Sequence, residues 1–266
     1  IRTYAAAGQG SIHLPFLLGG AVTPVTMAGS CAQSLAESMV GVALTQLVRP
    51  GAPAILAAFL SSLDLRSGSP TFGTPEPALG SLVMGQLARR INLPLRCSGN
   101  FSTSKLPDAQ SMSQSVMSMM AAVQCGANFI LHSAGYLDGL LSMSFEKFVL
   151  DADLCGALHA YMKGLEVTDE TLGLDALMEG GPGAHMFGTA HTLRHYESAY
   201  YDSALDDYRP WETWDETGRG DAMSRATARW KQVIDSYEAP YLDEGIDDGL
   251  QDFMARKKAS MPDAWY

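Results

Sequence analysis

The sequence predicts an α/β protein, and three observations carry that prediction. Short apolar runs alternate with amphipathic segments of helical length. The runs are continuously apolar rather than alternating, the pattern of strands covered on both faces and hence of a parallel sheet under helices. The turns entering the strands are short, while the loops leaving them are long and rich in Gly, Ser and Pro, which fits a (β/α)₈ barrel better than its rival, a doubly wound sheet. No G-x-G-x-x-G follows any strand, so nothing supports a dinucleotide site.

Four units repeat the pattern. The first runs from the strand His13–Leu18 through the turn Gly19–Pro24 to a helix over Ser30–Val48, stopped at Arg49-Pro50-Gly51. The second joins Ala54–Leu60, a long loop over 61–74 and a helix over Glu76–Ile91, with Pro75 and Pro77 where a first turn tolerates proline. Leu95–Ser98 opens the third, whose helix begins at a capping Asp108 and ends at Gln124. In the fourth, Phe129–His132 precedes a loop over 133–143 and a helix over Ser144–Lys163, with Ser144 as N-cap.

A barrel needs eight such units. We therefore expect the C-terminal half of a TIM-type (β/α)₈ barrel over 1–196, its other strands lying on another stretch of chain. The opening Ile1-Arg2-Thr3, without an initiator Met, agrees with a piece of something longer. Residues 1–196 hold 13 acids and 10 bases, and 197–266 hold 16 acids and 8 bases. The second stretch reads as an acidic helical extension.

The net charge of −11 over 266 residues disfavours nucleic acid, which needs a basic face. No apolar run reaches the roughly 18 residues of a membrane span. The four cysteines, Cys31, Cys97, Cys125 and Cys155, sit in apolar segments without metal-type spacing. They read as free thiols in a reducing compartment, so a cytoplasmic protein is expected.

Barrel chemistry sits on the loops after the strands. Those loops offer Gly19-Gly20, Ser61-Ser62-Leu63-Asp64, Ser98-Gly99-Asn100-Phe101 and His132-Ser133-Ala134-Gly135-Tyr136. The set is polar, mostly uncharged and lacks paired carboxylates, a Ser-His-Asp pattern or a phosphate loop. It suits a neutral or cationic ligand. His132, directly after a strand, reads either as a group facing the mouth or as a half-buried imidazole holding a loop carbonyl. His13 is placed at the bottom of its strand, where a structural role is expected.

Phe59, Phe72, Phe101, Tyr136 and Phe187 accompany these loops. Aromatic faces hold a quaternary ammonium by cation–π attraction, and equally they fill cores. Glu146 and Asp151 open the fourth helix, where acids favour an N-terminus. His185, His191 and His195 form H-x₅-H-x₃-H; the last pair shares a helical face and has zinc-compatible spacing, with contact between elements as the plainer reading. No bound metal is expected.

Several longer stretches are distinctive. They are Leu18-Gly19-Gly20-Ala21-Val22-Thr23-Pro24-Val25-Thr26, Gln46-Leu47-Val48-Arg49-Pro50-Gly51-Ala52-Pro53 and Lys105-Leu106-Pro107-Asp108-Ala109-Gln110. Further along come Gly126-Ala127-Asn128-Phe129, Ser144-Phe145-Glu146-Lys147-Phe148-Val149-Leu150-Asp151 and His191-Thr192-Leu193-Arg194-His195. Together, and in this order, they resemble the trimethylamine methyltransferase superfamily, over essentially the whole chain and the C-terminal part of longer members.

The resemblance implies a (β/α)₈ barrel that moves a methyl group from a tertiary or quaternary amine to the Co(I) of a separate corrinoid protein. Archaeal trimethylamine enzymes carry pyrrolysine; this chain shows none, and the relatives without it include enzymes for betaines. Thr189-Ala190 departs from the His-Pro that relatives often carry there. With that chemistry in view, His132 and Asn100 are the candidate catalytic residues. Phe59, Phe101, Tyr136 and Glu146 are candidates for the amine, and Gly19, Gly20, Ser98, Gly99 and His191 for the corrinoid. The expected partners are the corrinoid protein, the methylated amine, the N-terminal half of the same barrel and further copies in a homo-oligomer. A betaine-binding barrel without turnover and a zinc-assisted methyltransferase stand as alternatives.

Overall fold

The computed structural model describes residues 1–239 and 241–261. The end of the expected acidic extension, residues 262–266, lies outside them, as does Pro240. The chain divides into two units, one over Ile1–Trp230 and one from Lys231 onward. The second holds the end of a helix, Ala222–Asp235, and the helix Glu244–Ser260, begun by Asp243, whose carboxylate accepts from the amides of Gly245 and Ile246.

The first unit is mixed α/β. After a short helix α1 (Arg2–Ala7), the chain runs β1 (Ser11–His13), β2 (Leu17–Gly19), α2 (Met27–Val48), β3 (Ala54–Ala57), β4 (Leu60–Asp64), β5 (Ser69–Thr71), α3 (Pro75–Arg90) and β6 (Leu95–Ser98). There follow α4 (Ala109–Gln124), β7 (Phe129–Leu131), β8 (Tyr136–Leu137), β9 (Ser142–Met143) and α5 (Phe145–Met162). β1, β3, β6 and β7 form one parallel sheet in that order. Each strand lies beside the next in the chain, with a helix between, and the reversal that marks a doubly wound sheet is absent from this order. Consecutive helices from α1 to α5 touch one another, so they line one face.

The predicted first and second strands are each broken in two. Ser11 faces Ala54 and Leu17 faces Leu60 in one continuous register, so β1–β2 and β3–β4 are a single bent strand pair. Pro15, with no N–H to give, sits at the break. His13 consequently ends β1 rather than starting a strand, although its role is structural as expected. The predicted loops after the second and fourth strands contain hairpins, β4–β5 and β8–β9. The four principal helices fall within three residues of their predicted ends, and Asp108 and Ser144 cap theirs by accepting from the amides of Ser111 and Lys147.

Small residues let the helices approach the sheet. The buried face of α2 carries Ser30, Cys31, Ser34, Ser38, Val42 and Thr45. Ser38 donates to the His13 carbonyl at 3.2 Å and Thr45 meets His13 Nε2 at 3.0 Å. A Cβ on Gly41 would lie 2.4 Å from the same ring, so only glycine fits there. Leu56, Leu95, Cys97, Met84, Ala88 and Ala122 close the core between sheet and helices, with Ile130 packed against it. Alternate strand residues point the other way. On that face Ile12, Leu14, Phe16, Phe129 and Leu131 are each at least 40% exposed. Cys31, Cys97 and Cys125 are buried free thiols and Cys155 is half-buried.

Candidate functional site

The residues on the far face of the sheet gather at the carboxyl ends of the strands. Phe59 follows β3, Phe101 follows β6, His132 follows β7 and Tyr136 opens β8. Phe59, Phe72 and Phe101 form a buried cluster with Tyr136 and Leu140 against it. Ring centroids lie 5.4 Å apart for Phe59–Phe101, 5.2 Å for Phe101–His132 and 5.2 Å for His132–Tyr136. Phe16 adds a ring 4.7 Å from Phe59.

His132 takes the left-handed conformation, with φ of 59°. Its Nδ1 lies 3.0 Å from an amino group of Arg96. A guanidinium only donates, so Nδ1 accepts and the ring hydrogen sits on Nε2. Burial first, and then the charge of Arg96, hold the imidazole below its ordinary pKa and keep it neutral. Arg96 itself is buried in the middle of β6, its guanidinium carbon 5.7 Å from the Phe59 centroid.

A buried polar network pins the loop that carries His132 and Tyr136. The Asn100 amide donates to the Ser133 carbonyl at 2.6 Å, while its own side-chain oxygen is buried without a partner. The amide of Gly135, at a φ of 90°, donates to Asp151 Oδ2 at 2.9 Å. The other Asp151 oxygen takes the Lys147 ammonium, which also donates to Ser115 Oγ at 2.7 Å. Both side chains are fully buried. Burial pushes the Asp151 carboxyl up and the Lys147 ammonium down, and the pairing opposes both shifts.

The structure thus brings His132, Asn100, Phe59, Phe101 and Tyr136 into one neighbourhood, with Ser98 and Gly99 beside them. Ser98 Oγ lies 3.5 Å from Arg96, and a Cβ on Gly99 would meet Ser133 and the His132 carbonyl at 3.0 Å. Four expected residues, Gly19, Gly20, Glu146 and His191, lie apart. Gly19 and Gly20 form the turn after β2, where Gly20, at φ 93°, bonds to Thr23. Glu146 is engaged by Ser144, by Thr227 and by the Trp230 indole at 2.7 Å, contacts that hold its carboxyl down at about 2, with Ser144 the largest cause.

His191 lies on a short helix, Ala190–His195, whose N-cap Thr189 accepts from the Thr192 amide. There His195 Nε2 meets Glu170 at 2.8 Å, and His191 Nε2 the Glu170 carbonyl at 3.0 Å. Glu170, His191 and His195 bring one ligand atom each within 4.8 Å of one another, the arrangement among the described residues that could hold a metal ion. Arg194 donates to the same carboxylate at 3.0 Å. His185, Phe187, His191, His195 and Tyr200 line an open cleft of about 720 Å³ beside it.

Sequence reasoning missed Arg96 and the Lys147–Asp151 pair. The signal for both was present: a lone arginine inside an apolar strand, and an i, i+4 charge pair on a helix whose buried side had to face the core.

The aromatic–histidine cluster lies at the carboxyl ends of parallel strands in an α/β chain, the place where ligand sites of such folds gather. The profile described as Trimethylamine methyltransferase (MTTB) matches residues 1–262, and the chain belongs to that family. It is 37% identical over 257 residues to the glycine betaine methyltransferase of Desulfitobacterium hafniense (strain Y51), covering 97% of this chain and 53% of that protein. With trimethylamine methyltransferase MttB2 of Methanosarcina mazei it shares 29% identity over 240 residues, 90% of this chain and 48% of the relative. The chain spans about half the length of the curated relatives it matches. No helix among the described residues is long and apolar enough to cross a membrane.

Proposed function

We propose that this chain forms the C-terminal half of a (β/α)₈ barrel, and that the barrel transfers a methyl group from a tertiary or quaternary methylated amine to the cobalt of a corrinoid held by a separate protein. The half-barrel reading is supported by the unreversed strand order, by helices confined to one face and by the apolar residues exposed on the other. Four further strands from the N-terminal half would cover that face. The stretch from 197 onward is read as an acidic helical extension of the barrel.

The observation that carries the function is the cluster of Phe59, Phe101, His132 and Tyr136 at the strand ends. Aromatic faces attract an N-methylated ammonium and do not neutralise it, so its C–N bond stays polarised. Breaking that bond leaves the electron pair on nitrogen, so a quaternary ammonium, or a tertiary amine bound as its ammonium, departs as a neutral amine and needs no further proton. A protein nucleophile or general acid is therefore not required, and positioning does the catalysis. Neutral His132 fits such a site, because an imidazolium would repel the substrate. Its Nε2–H, held by Arg96 at the other nitrogen, is a donor at the rim. The network of Asn100, Asp151 and Lys147 fixes the loop from which His132 and Tyr136 project.

The rim fits a docked corrinoid in one respect: it is uncharged at His132, Ser98 and Gly99 and lies at the open end of the strands. When bound, the corrinoid supplies the nucleophilic metal that accepts the methyl group. The relatives support the amine class, since they are a glycine betaine and a trimethylamine methyltransferase.

The test is a panel of trimethylamine, glycine betaine and other N-methylated amines, incubated with the intact protein and a reduced corrinoid protein, with cobalt methylation followed by absorbance. Methylation by at least one tertiary or quaternary amine is expected. Binding without methylation across the panel would replace this reading with an amine-binding barrel.

A further inference from the structure

Away from the aromatic–histidine cluster, the fold draws three metal-ligating side chains together. Glu170 lies on the short helix Asp169–Leu172, and His191 and His195 lie on the helix Ala190–His195. All three belong to the unit over Ile1–Trp230. The two imidazoles stand one helical turn apart on one face, with ring centroids 4.6 Å apart. From that face both Nε2 atoms turn to a single residue. His195 Nε2 lies 2.8 Å from Glu170 Oε1, and His191 Nε2 lies 3.0 Å from the Glu170 carbonyl oxygen. The H-x₃-H spacing supplies two ligands by itself; the fold adds the third from a separate helix.

Both helices are fixed at their starts. Thr168 and Thr171 form a reciprocal cap around Glu170, and Thr171 also donates to the Glu166 carbonyl at 2.9 Å. Buried Thr189 caps the histidine helix and donates to the Met186 carbonyl at 3.0 Å. Gly173 leaves room at His191, since a Cβ there would lie 3.3 Å from Nε2. Arg194 donates to Glu170 Oε1 at 3.0 Å. It thereby orients the carboxylate, the support that outer partners give to metal ligands, and leaves Oε2 for an ion. Glu179 accepts from the Ala190 amide at 3.3 Å, a second carboxylate beside the helix that carries Arg194.

Two imidazoles and one carboxylate are a zinc-type donor set, three protein ligands with a fourth position for water. One ligand atom from each residue lies within 4.8 Å of the other two. In a tetrahedral zinc site such atoms stand about 3.3 Å apart, so side-chain shifts of about 1 Å complete the set. Each Nε2 faces an oxygen that only accepts, so the ring hydrogen sits there. On ligation that hydrogen passes to Nδ1 and the Nε2 lone pair goes to the ion, with no net gain or loss of protons.

We propose that Glu170, His191 and His195 bind one zinc ion, which joins the helix Asp169–Leu172 to the helix Ala190–His195. This departs from the expectation of no bound metal. The site does not include Phe59, Phe101, His132 or Tyr136, and the proposal does not rest on the methyl-transfer reading.

The experiment frees the intact protein of metal by dialysis against a chelator and titrates it with zinc by calorimetry and with Co(II) by visible absorption. Wild-type protein should take up one equivalent of either ion, with Co(II) showing the strong absorption of a four-coordinate site. His191→Ala should weaken zinc at least about 100-fold, and Glu170→Gln, which keeps a hydrogen-bonding side chain but loses the anionic ligand, at least about 10-fold. His159→Ala, at an exposed histidine on α5, should bind as the wild type does. Should His191→Ala fail to fold by circular dichroism, Glu170→Gln decides.

No stoichiometric uptake by the wild type would overturn the proposal. So would uptake that His191→Ala and Glu170→Gln leave unchanged, or weak binding of several ions shared by every variant. Glu170, His191 and His195 would then be a hydrogen-bonded clamp between two helices. Cobalt methylation of the corrinoid protein is read separately, so failure here leaves the methyl-transfer reading in place.

Discussion

The two faces of the central sheet are built differently. Toward the helices, Leu56, Leu95, Cys97 and Met84 are at most 1% exposed and interlock with α2, α3 and α4. Toward the other side, Ile12, Leu14, Phe129 and Leu131 stand 40–45% exposed, and only the strand ends are closed, by Phe59, Phe72 and Phe101. The helix face is mostly apolar, with buried hydroxyls of α2 holding His13, and serves stability. The far face gathers an arginine, a histidine and tilted or edge-on rings at one end. That division is what a site placed on a rigid scaffold requires.

The largest expected effect lies where the two meet. Asp151→Ala leaves the Lys147 ammonium buried without its partner and frees Gly135, and should cost about 3–5 kcal/mol in urea unfolding. Asp151→Asn with Lys147→Met removes both charges and should recover most of that loss. A cost for the single variant within about 0.5 kcal/mol would show that the pair is hydrated.

Next comes the comparison of faces itself. Leu56→Ala should cost about 2–5 kcal/mol, as large-to-small changes in closed cores do. In the intact protein, Leu131→Ala should cost about 2 kcal/mol or more if four further strands cover the far face. A cost typical of surface positions, within about 0.5 kcal/mol, would mean that the face stays in water and would remove the half-barrel reading.

Much of the helix face was legible in the sequence because apolar runs, turns and caps act locally. Leu95–Ser98 was placed correctly, and Asp108 and Ser144 were recognised as caps by chemistry that needs only three neighbouring residues. The bend at Pro15 and the hairpins at β4–β5 and β8–β9 were not, since they depend on which strand lies alongside. For the candidate site, Phe59, Phe101, Asn100, His132 and Tyr136 were picked out by their position after strands, and the structure gathers them in one neighbourhood. Arg96 was hidden because a strand is read by its apolar majority, and the contact that holds Glu146 was not legible because its partner, Trp230, is far away in sequence.

A smaller effect concerns pH. The folded state lowers the pKa of both His132 and His13, chiefly by burial. It then binds fewer protons than the unfolded chain, so stability rises with pH in this range. The contribution is fully present above the unfolded value near 6.5 and is lost as pH falls below it toward the folded values. His132→Gln should flatten part of this slope in thermal melts between pH 5 and 7; an unchanged slope would assign the dependence to other groups. Smallest of all, Asp108→Ala should cost about 1 kcal/mol through the lost cap of α4, read in the same melts.

The most direct measurement is the rate of cobalt methylation by His132→Ala against wild type, at saturating methylated amine and with the fold checked by circular dichroism. Loss of a positioned rim donor should lower the rate about 100-fold. A variant that folds and methylates at the wild-type rate would contradict the placement of the reaction at this rim.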